Sequence, residues 1–279
     1  MEETWTTELM EMALSIWNEK LTEVWRLLSL SPQEFKDGAV WAVATDIHNG
    51  LLAVGYGLLI LFFAMSIFKS AIDFQELKRP EVALRFFIRF VAAKVAVTYG
   101  MEIMGVLFTI CAGIMQTVVG GLGDTIAVSA KLPEAIKEAV IDAGFVETIP
   151  LFLIAAIGVL FITVMAFVIV LTVYGRFFKL YIYTALAPIP LATFAGETTS
   201  QTGKAFVKSY LGVCLQGAVI ILACIIYNAF ASTATPELIQ GITAVSMVWS
   251  YFAETGFNML ILVILIKGAD SVIREMMAL

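Results

Sequence analysis

The side chains that ordinarily carry chemistry are few in this chain and poorly spaced for it. His48 is the only histidine among 279 residues. A Ser-His-Asp triad therefore has one possible position for its base, and neither an H-E-x-x-H zinc helix nor a histidine-rich cofactor site can be built. Cys111, Cys214 and Cys224 lie inside apolar runs without C-x-x-C spacing. They read as small buried hydrophobes, not as a disulfide framework or a zinc site. No catalytic residue, metal or cofactor is expected, and the chain reads as a non-enzyme. What remains is the chemistry of charge placed in or beside hydrocarbon.

Three groups of charges qualify. Glu102 is the deepest charge in any apolar run, and a carboxylate there must face protein or water, be paired, or stay protonated. Arg85 and Arg89 stand one helical turn apart, with Lys94 a further turn on. They read as snorkelling anchors or as a basic collar for anionic lipid, a partner ATPase or phosphates. The third group is the tract from Gly175-Arg176 to Lys208. It joins Arg176 and Lys179, the aromatic residues Phe177, Phe178, Tyr181 and Tyr183, the break Ala187-Pro188-Ile189-Pro190 and the polar stretch Gly196 to Gly203. Pro188 and Pro190 remove two backbone donors, so the carbonyls they free need other partners. The tract is packed into protein or lines water, as a gate or assembly site does.

The elements that position these residues are membrane helices. The chain is 60% hydrophobic and 14% charged, against about 25% charged in soluble domains. Its 17 Lys and Arg against 23 Asp and Glu give a net charge of −6, which excludes a whole-surface basic footprint for nucleic acid. Crossing ~30 Å of hydrocarbon takes about 20 apolar residues. Runs of that order are Ile47 to Phe68, Ile103 to Gly123, Thr148 to Gly175 and Ser209 to Pro236. A shorter fifth, Thr255 to Ile266, extends to Tyr251 and Lys267 across Glu254. Leu180 to Gly196 is apolar too, but its prolines predict a broken or re-entrant segment that dips into the membrane and returns. The fold class is all-α, polytopic, with five spans.

Lys69, Lys78, Arg79, Arg85, Arg89 and Lys94 follow the first span. By the positive-inside rule they face the cytoplasm, which sets the N-terminus outside and the C-terminus inside. The first eleven residues carry four Glu and no Lys or Arg, unlike a secretory leader. Met10, Leu14, Trp17, Leu21, Val24 and Leu28 recur at helical period, as a helix on the outer membrane interface or a seam for an oligomer or partner. Ser31-Pro32-Gln33-Glu34 reads as a capping box that starts a second helix near Pro32. Pro133 to Ala143 and the stretch opened by Thr235-Pro236-Glu237 read as further short helices. The expected division is an outer-side amphipathic region, 1–46, and a transmembrane domain, 47–279, with an outer loop at 123–148 and the broken segment at 180–196.

Arg176-Phe177-Phe178-Lys179-Leu180, Ala185-Leu186-Ala187-Pro188-Ile189-Pro190-Leu191-Ala192 and the span from Phe206 to Gln216 together resemble the core of TrbL-type polytopic inner-membrane subunits of type IV secretion and conjugation systems. The expected topology is similar to that family's as well. The resemblance implies a multi-pass protein of the bacterial cytoplasmic membrane. It would form a platform or channel for DNA-protein or protein substrates and associate with itself, with lipids, with secretion ATPases and with outer stalk subunits. This chain ends soon after its last span, whereas many relatives carry long polar tails. The alternative class is a small-molecule or ion transporter with a midplane site at Glu102 and the Pro188-Pro190 break. No internal repeat supports it.

Overall fold

The computed structural model describes residues 5–72, 80–122, 130–233 and 243–278. Lys78, Arg79 and the helix start expected at Thr235-Pro236-Glu237 lie outside the described residues. All regular structure among the described residues is helical: α1 (Trp5–Ser29), α2 (Ala39–Ile72), α3 (Pro80–Thr98), α4 (Gly100–Leu122), α5 (Glu134–Ile141), α6 (Phe145–Leu186), α7 (Pro188–Ala192), α8 (Ser200–Thr233) and α9 (Ala244–Met277). Among the described residues, five stretches are long and apolar enough to cross a membrane: Phe35–Lys69, Gly100–Gly121, Glu147–Leu186, Ser200–Phe230 and Ala244–Met277. They fall on the five expected spans. The protein is a polytopic helical membrane protein. The helices exceed the apolar runs that announce them, with 34 residues in α2, 42 in α6 and 34 in each of α8 and α9, where about 20 would cross.

Contacts gather the chain into two compact units. Unit 1 comprises Met1–Ser29, Gln116–Tyr174 and Ala218–Ala269; unit 2 comprises Leu30–Met115, Gly175–Gly217 and Asp270–Leu279. In unit 1 the helical-period seam of α1 faces inward. Met10, Leu14, Trp17, Val24 and Leu28 are at most 3% exposed, and Leu21 is partly buried. This differs from the expected interfacial helix or partner seam: the apolar stripe is used within the unit, so it is not the outward face of α1. Asn18 fixes that packing, its side-chain amide donating to the Ala130 carbonyl at 2.9 Å and accepting from the Ala130 N–H at 3.0 Å. Lys137 of α5 reaches Glu11 at 2.7 Å and Glu134 at 3.3 Å, which raises its pKa above the ordinary lysine value.

In unit 2 the expected helix start at Pro32 is instead a tight turn. The Glu34 carboxylate accepts from the Ser31 N–H at 3.2 Å and the Ser31 hydroxyl at 2.9 Å, and both bonds hold its pKa below the usual carboxylate value. Only the Glu34 half of the capping box is formed, because the Glu34 N–H donates to the Ser31 carbonyl at 3.1 Å and not to its hydroxyl, and it closes only a turn and the 3-10 segment Phe35–Gly38. Lys36, Asp37 and Gly38 then take φ of 52°, 55° and 75°. Three consecutive left-handed residues cannot propagate an α-helix, so α2 begins at Ala39.

Candidate functional site

The broken segment runs beside α2 within unit 2, and its contacts give its direction. Phe177 stacks on Phe35 with ring centroids 4.3 Å apart, and the Tyr181 hydroxyl donates to the Pro32 carbonyl at 2.8 Å. Further on, His48 meets Thr184, Gly55 meets Pro188, and Gly196 meets Phe62. From Tyr181, whose ring lies 6.5 Å from that of Trp41, through Thr184, Pro188 and Gly196, each step is a step forward along α2, so the segment does not double back. This departs from the expected dip and return. The prolines break the helix at Ala187, where α6 gives way to α7 and a 3-10 turn (Thr193–Ala195), but the chain still advances. The reversal comes later, in the polar stretch. There Thr199 Oγ1 donates to the Thr193 carbonyl at 2.8 Å, the Glu197 N–H donates to Ser66 Oγ at 3.4 Å, and α8 starts back at Ser200. On the return, Tyr183 packs on Phe206 and Tyr210, and the Tyr210 hydroxyl donates to the Met104 carbonyl at 2.9 Å.

The break is held by two fitted contacts. Pro188 has no N–H for the Thr184 carbonyl one turn earlier. His48 Nδ1 lies 2.9 Å from that carbonyl in a buried position. A carbonyl only accepts, so Nδ1 carries the proton and donates. The Ala187 N–H reaches the same carbonyl at 3.4 Å, so the single histidine supplies the shorter of its two hydrogen bonds where the proline removes the regular one. Gly55 supplies the other contact, because a Cβ there would lie 2.9 Å from Pro188 Cβ and 3.0 Å from the Pro188 carbonyl oxygen. The Gly55→Val variant is expected to lose about 1–3 kcal/mol through overpacking against backbone that has little freedom to shift. Gly57→Val, where no atom lies within 4 Å, is the control in a denaturant titration of the detergent-solubilised protein.

Arg176, in the tract that the sequence reads as a gate or assembly site, does not face water. It is 1% exposed. Its Nε donates to the Val213 carbonyl at 3.3 Å, and its Nη2 donates to the Cys214 carbonyl at 3.2 Å and approaches Met115 Sδ at 3.9 Å. The guanidinium lies near the Phe108 and Phe177 rings, 5.8 and 5.9 Å from their centroids, within cation-π range. Nη1 has no hydrogen-bond partner among the described residues, nor does the buried Oε1 of Gln216. No carboxylate among the described residues pairs with Arg176. Gly217 makes room for the group, since a Cβ there would sit 2.7 Å from Arg176 Cζ and 2.5 Å from Met115 Sδ. The charge clamps α6 to α8 through backbone carbonyls alone.

The remaining candidates are dispersed. Lys179 pairs with Asp270 at 3.0 Å, and Arg274 takes the other carboxylate oxygen at 3.0 Å. These three residues edge a small cavity of about 180 Å³ shared with Tyr183 and Ser209. Pro190 is partly buried and its carbonyl accepts from Thr193 Oγ1 at 2.6 Å. Glu102 is exposed in the first turn of α4 and does not take part in the contacts of Arg176 or Pro188. Gly100, two residues earlier, packs against His48 and Leu191 beside the break. Arg85 and Arg89 share one cleft, as the collar reading expected, but their third cation is Lys204 of α8 and not Lys94. Composition alone had no means of pairing Lys204 with α3. Asp270 and Arg274, four residues apart on one helix, carried a readable signal that the sequence analysis passed over.

Neither the curated proteins nor the solved structures contain a match to this chain. Residues 17–188, more than half of its length, match a protein family described as TrbL/VirB6 plasmid conjugal transfer like protein. The match takes in α2, α3, α4, α5 and the whole of α6 up to Pro188. The chain belongs to the TrbL/VirB6 plasmid conjugal transfer-like family.

Proposed function

We propose that the protein is a membrane-platform subunit of a type IV secretion machine used in conjugative transfer. It works in the bacterial cytoplasmic membrane, where it assists passage of DNA-protein or protein substrates. The family match carries this reading. The packing of the break supports it: Pro188 is buried against Gly55, and the Thr184 carbonyl it frees accepts from His48 and from the Ala187 N–H, as suits a kink that shapes helices. The role is structural and needs no catalytic group. The subunit associates with copies of itself, with secretion ATPases on the cytoplasmic side and with stalk subunits outside. The cations Lys69, Arg85, Arg89 and Lys204 support a cytoplasmic end of unit 2 at these residues, with the N-terminus outside and the C-terminus inside.

The test is a C-terminal affinity tag on the protein in its native membrane, extracted in mild detergent, with complex mass and co-purifying proteins determined together. A multimer carrying a secretion ATPase or stalk subunit is expected, along with loss of conjugative transfer on deletion of the gene and recovery on complementation. A monomer with no such partners, in a strain whose transfer survives the deletion, overturns the reading.

A further inference from the structure

We propose that the cleft between α3 and the start of α8 binds an anionic phospholipid, with Arg85, Arg89 and Lys204 on its phosphate and an acyl chain along the small-residue strip of α3. The cleft encloses about 400 Å³ in unit 2. Its charged end carries these three cations and the Ser200 hydroxyl. Among the described residues the carboxylate paired with them is Glu197, 3.7 Å from Arg89 and largely exposed, and Glu81 stands one turn before Arg85 on α3, so three cations face two carboxylates and this set of residues is net positive.

The lining then changes character along α3. Beyond Ile88, the residues Ala92, Ala93 and Ala96, with Phe194 opposite, make an apolar floor of small side chains on the helix. From Arg89 to Ala96 that floor runs about 10 Å at 1.5 Å per residue. A free phosphate has no use for such a strip, whereas a lipid needs an anion site and an adjoining apolar track. Exposed Leu84, Phe87, Val91 and Val95 flank the strip on the same helix, as expected of a surface that faces acyl chains. Basic pockets between membrane helices at the interface are the recognised setting for anionic headgroups.

The test uses the full chain, purified in a neutral detergent and stripped of co-extracted lipid. It is titrated with phosphatidylglycerol or phosphatidylcholine, with and without inorganic phosphate, and occupancy is read by native mass spectrometry. Phosphatidylglycerol is expected to bind roughly tenfold or more tightly than phosphatidylcholine, the scale set by several interfacial cations. That preference is lost in the triple variant Arg85→Gln, Arg89→Gln, Lys204→Gln and kept in Lys94→Gln, which removes an exposed cation of the same helix from outside the cleft. Ala92→Trp, at an exposed position, weakens phosphatidylglycerol binding with all cations in place. Equal binding of the two lipids overturns the proposal, as does equal loss in Lys94→Gln and in the triple variant. Displacement of phosphatidylglycerol by inorganic phosphate, combined with indifference to Ala92→Trp, overturns it in favour of a free-anion site.

Discussion

His48→Leu is expected to destabilise the protein by about 1–1.5 kcal/mol, the net worth of a buried hydrogen bond, and to do so chiefly while Pro188 is present. In the native chain the Thr184 carbonyl takes its shorter hydrogen bond from His48 Nδ1, at 2.9 Å against 3.4 Å from the Ala187 N–H, because residue 188 has no N–H to give. Pro188→Ala returns that N–H. The carbonyl can then be satisfied within the helix, and the additional loss of His48 should cost a small fraction of its price in the native background. The experiment is a double-mutant cycle: wild type, both singles and the double, unfolded in a mixed-micelle denaturant titration. A coupling energy of about 1 kcal/mol or more between positions 48 and 188 is expected, well above the few tenths seen for independent sites. Additive losses would show that His48 matters through packing alone. The ring is 1% exposed, so Leu preserves apolar bulk and isolates the hydrogen bond.

That coupling also shows where the sequence was legible and where it was not. Apolar runs report burial in a slab, and the five spans follow from them with little ambiguity. The period of Met10, Leu14, Trp17, Val24 and Leu28 likewise gave the buried face of α1, because an inward stripe and a partner-facing stripe share one pattern. What lies on the other side of the stripe is not in the pattern, and here it is the unit's own interior. The break at Pro188 was readable because a missing N–H is a covalent fact. Its course was not, since a kink and a return have the same composition and differ only in which residues of α2 they meet. A single histidine can be discounted as a catalyst from its number alone, yet its role as a substitute donor appears only when residues 136 positions apart come within 2.9 Å. Ser31 to Glu34 failed in another way. Half of the box closes, through the Glu34 carboxylate, but the φ values of Lys36, Asp37 and Gly38 override the local cap. Lys204 was missed for the reason Pro188's course was: its neighbours on α3 are set by where α8 turns back.

Arg176→Met is expected to leave stability unchanged or raise it by up to about 4 kcal/mol, and to reduce conjugative transfer to the level of a strain lacking the protein. The first half follows from the buried side chain's surroundings. Desolvating a cation is costly, no carboxylate offsets it here, and Nη1 is unpartnered; comparable replacements of buried charges by apolar groups of similar length are often neutral or stabilising. The carbonyls of Val213 and Cys214 sit in the interior of α8 and keep their intrahelical N–H partners when the guanidinium is removed, so the substitution creates no orphan acceptor. Methionine also suits the sulfur and aromatic surroundings of Met115, Phe108 and Phe177. The second half follows from the first: a charge that folding does not need, fitted against a glycine that leaves no room for a methyl group, has to be explained by what the protein does. Arg176→Met with wild-type transfer would falsify that assignment. A loss of stability beyond about 2 kcal/mol would instead make the clamp an ordinary structural contact, since one unsatisfied buried group accounts for a loss of that size. Arg176→Lys separates charge from geometry, because an ammonium keeps the charge but cannot fork onto both carbonyls at once as the planar guanidinium does. Transfer lost in both variants places the function in the fork across α6 and α8; transfer kept only in the lysine variant places it in the charge.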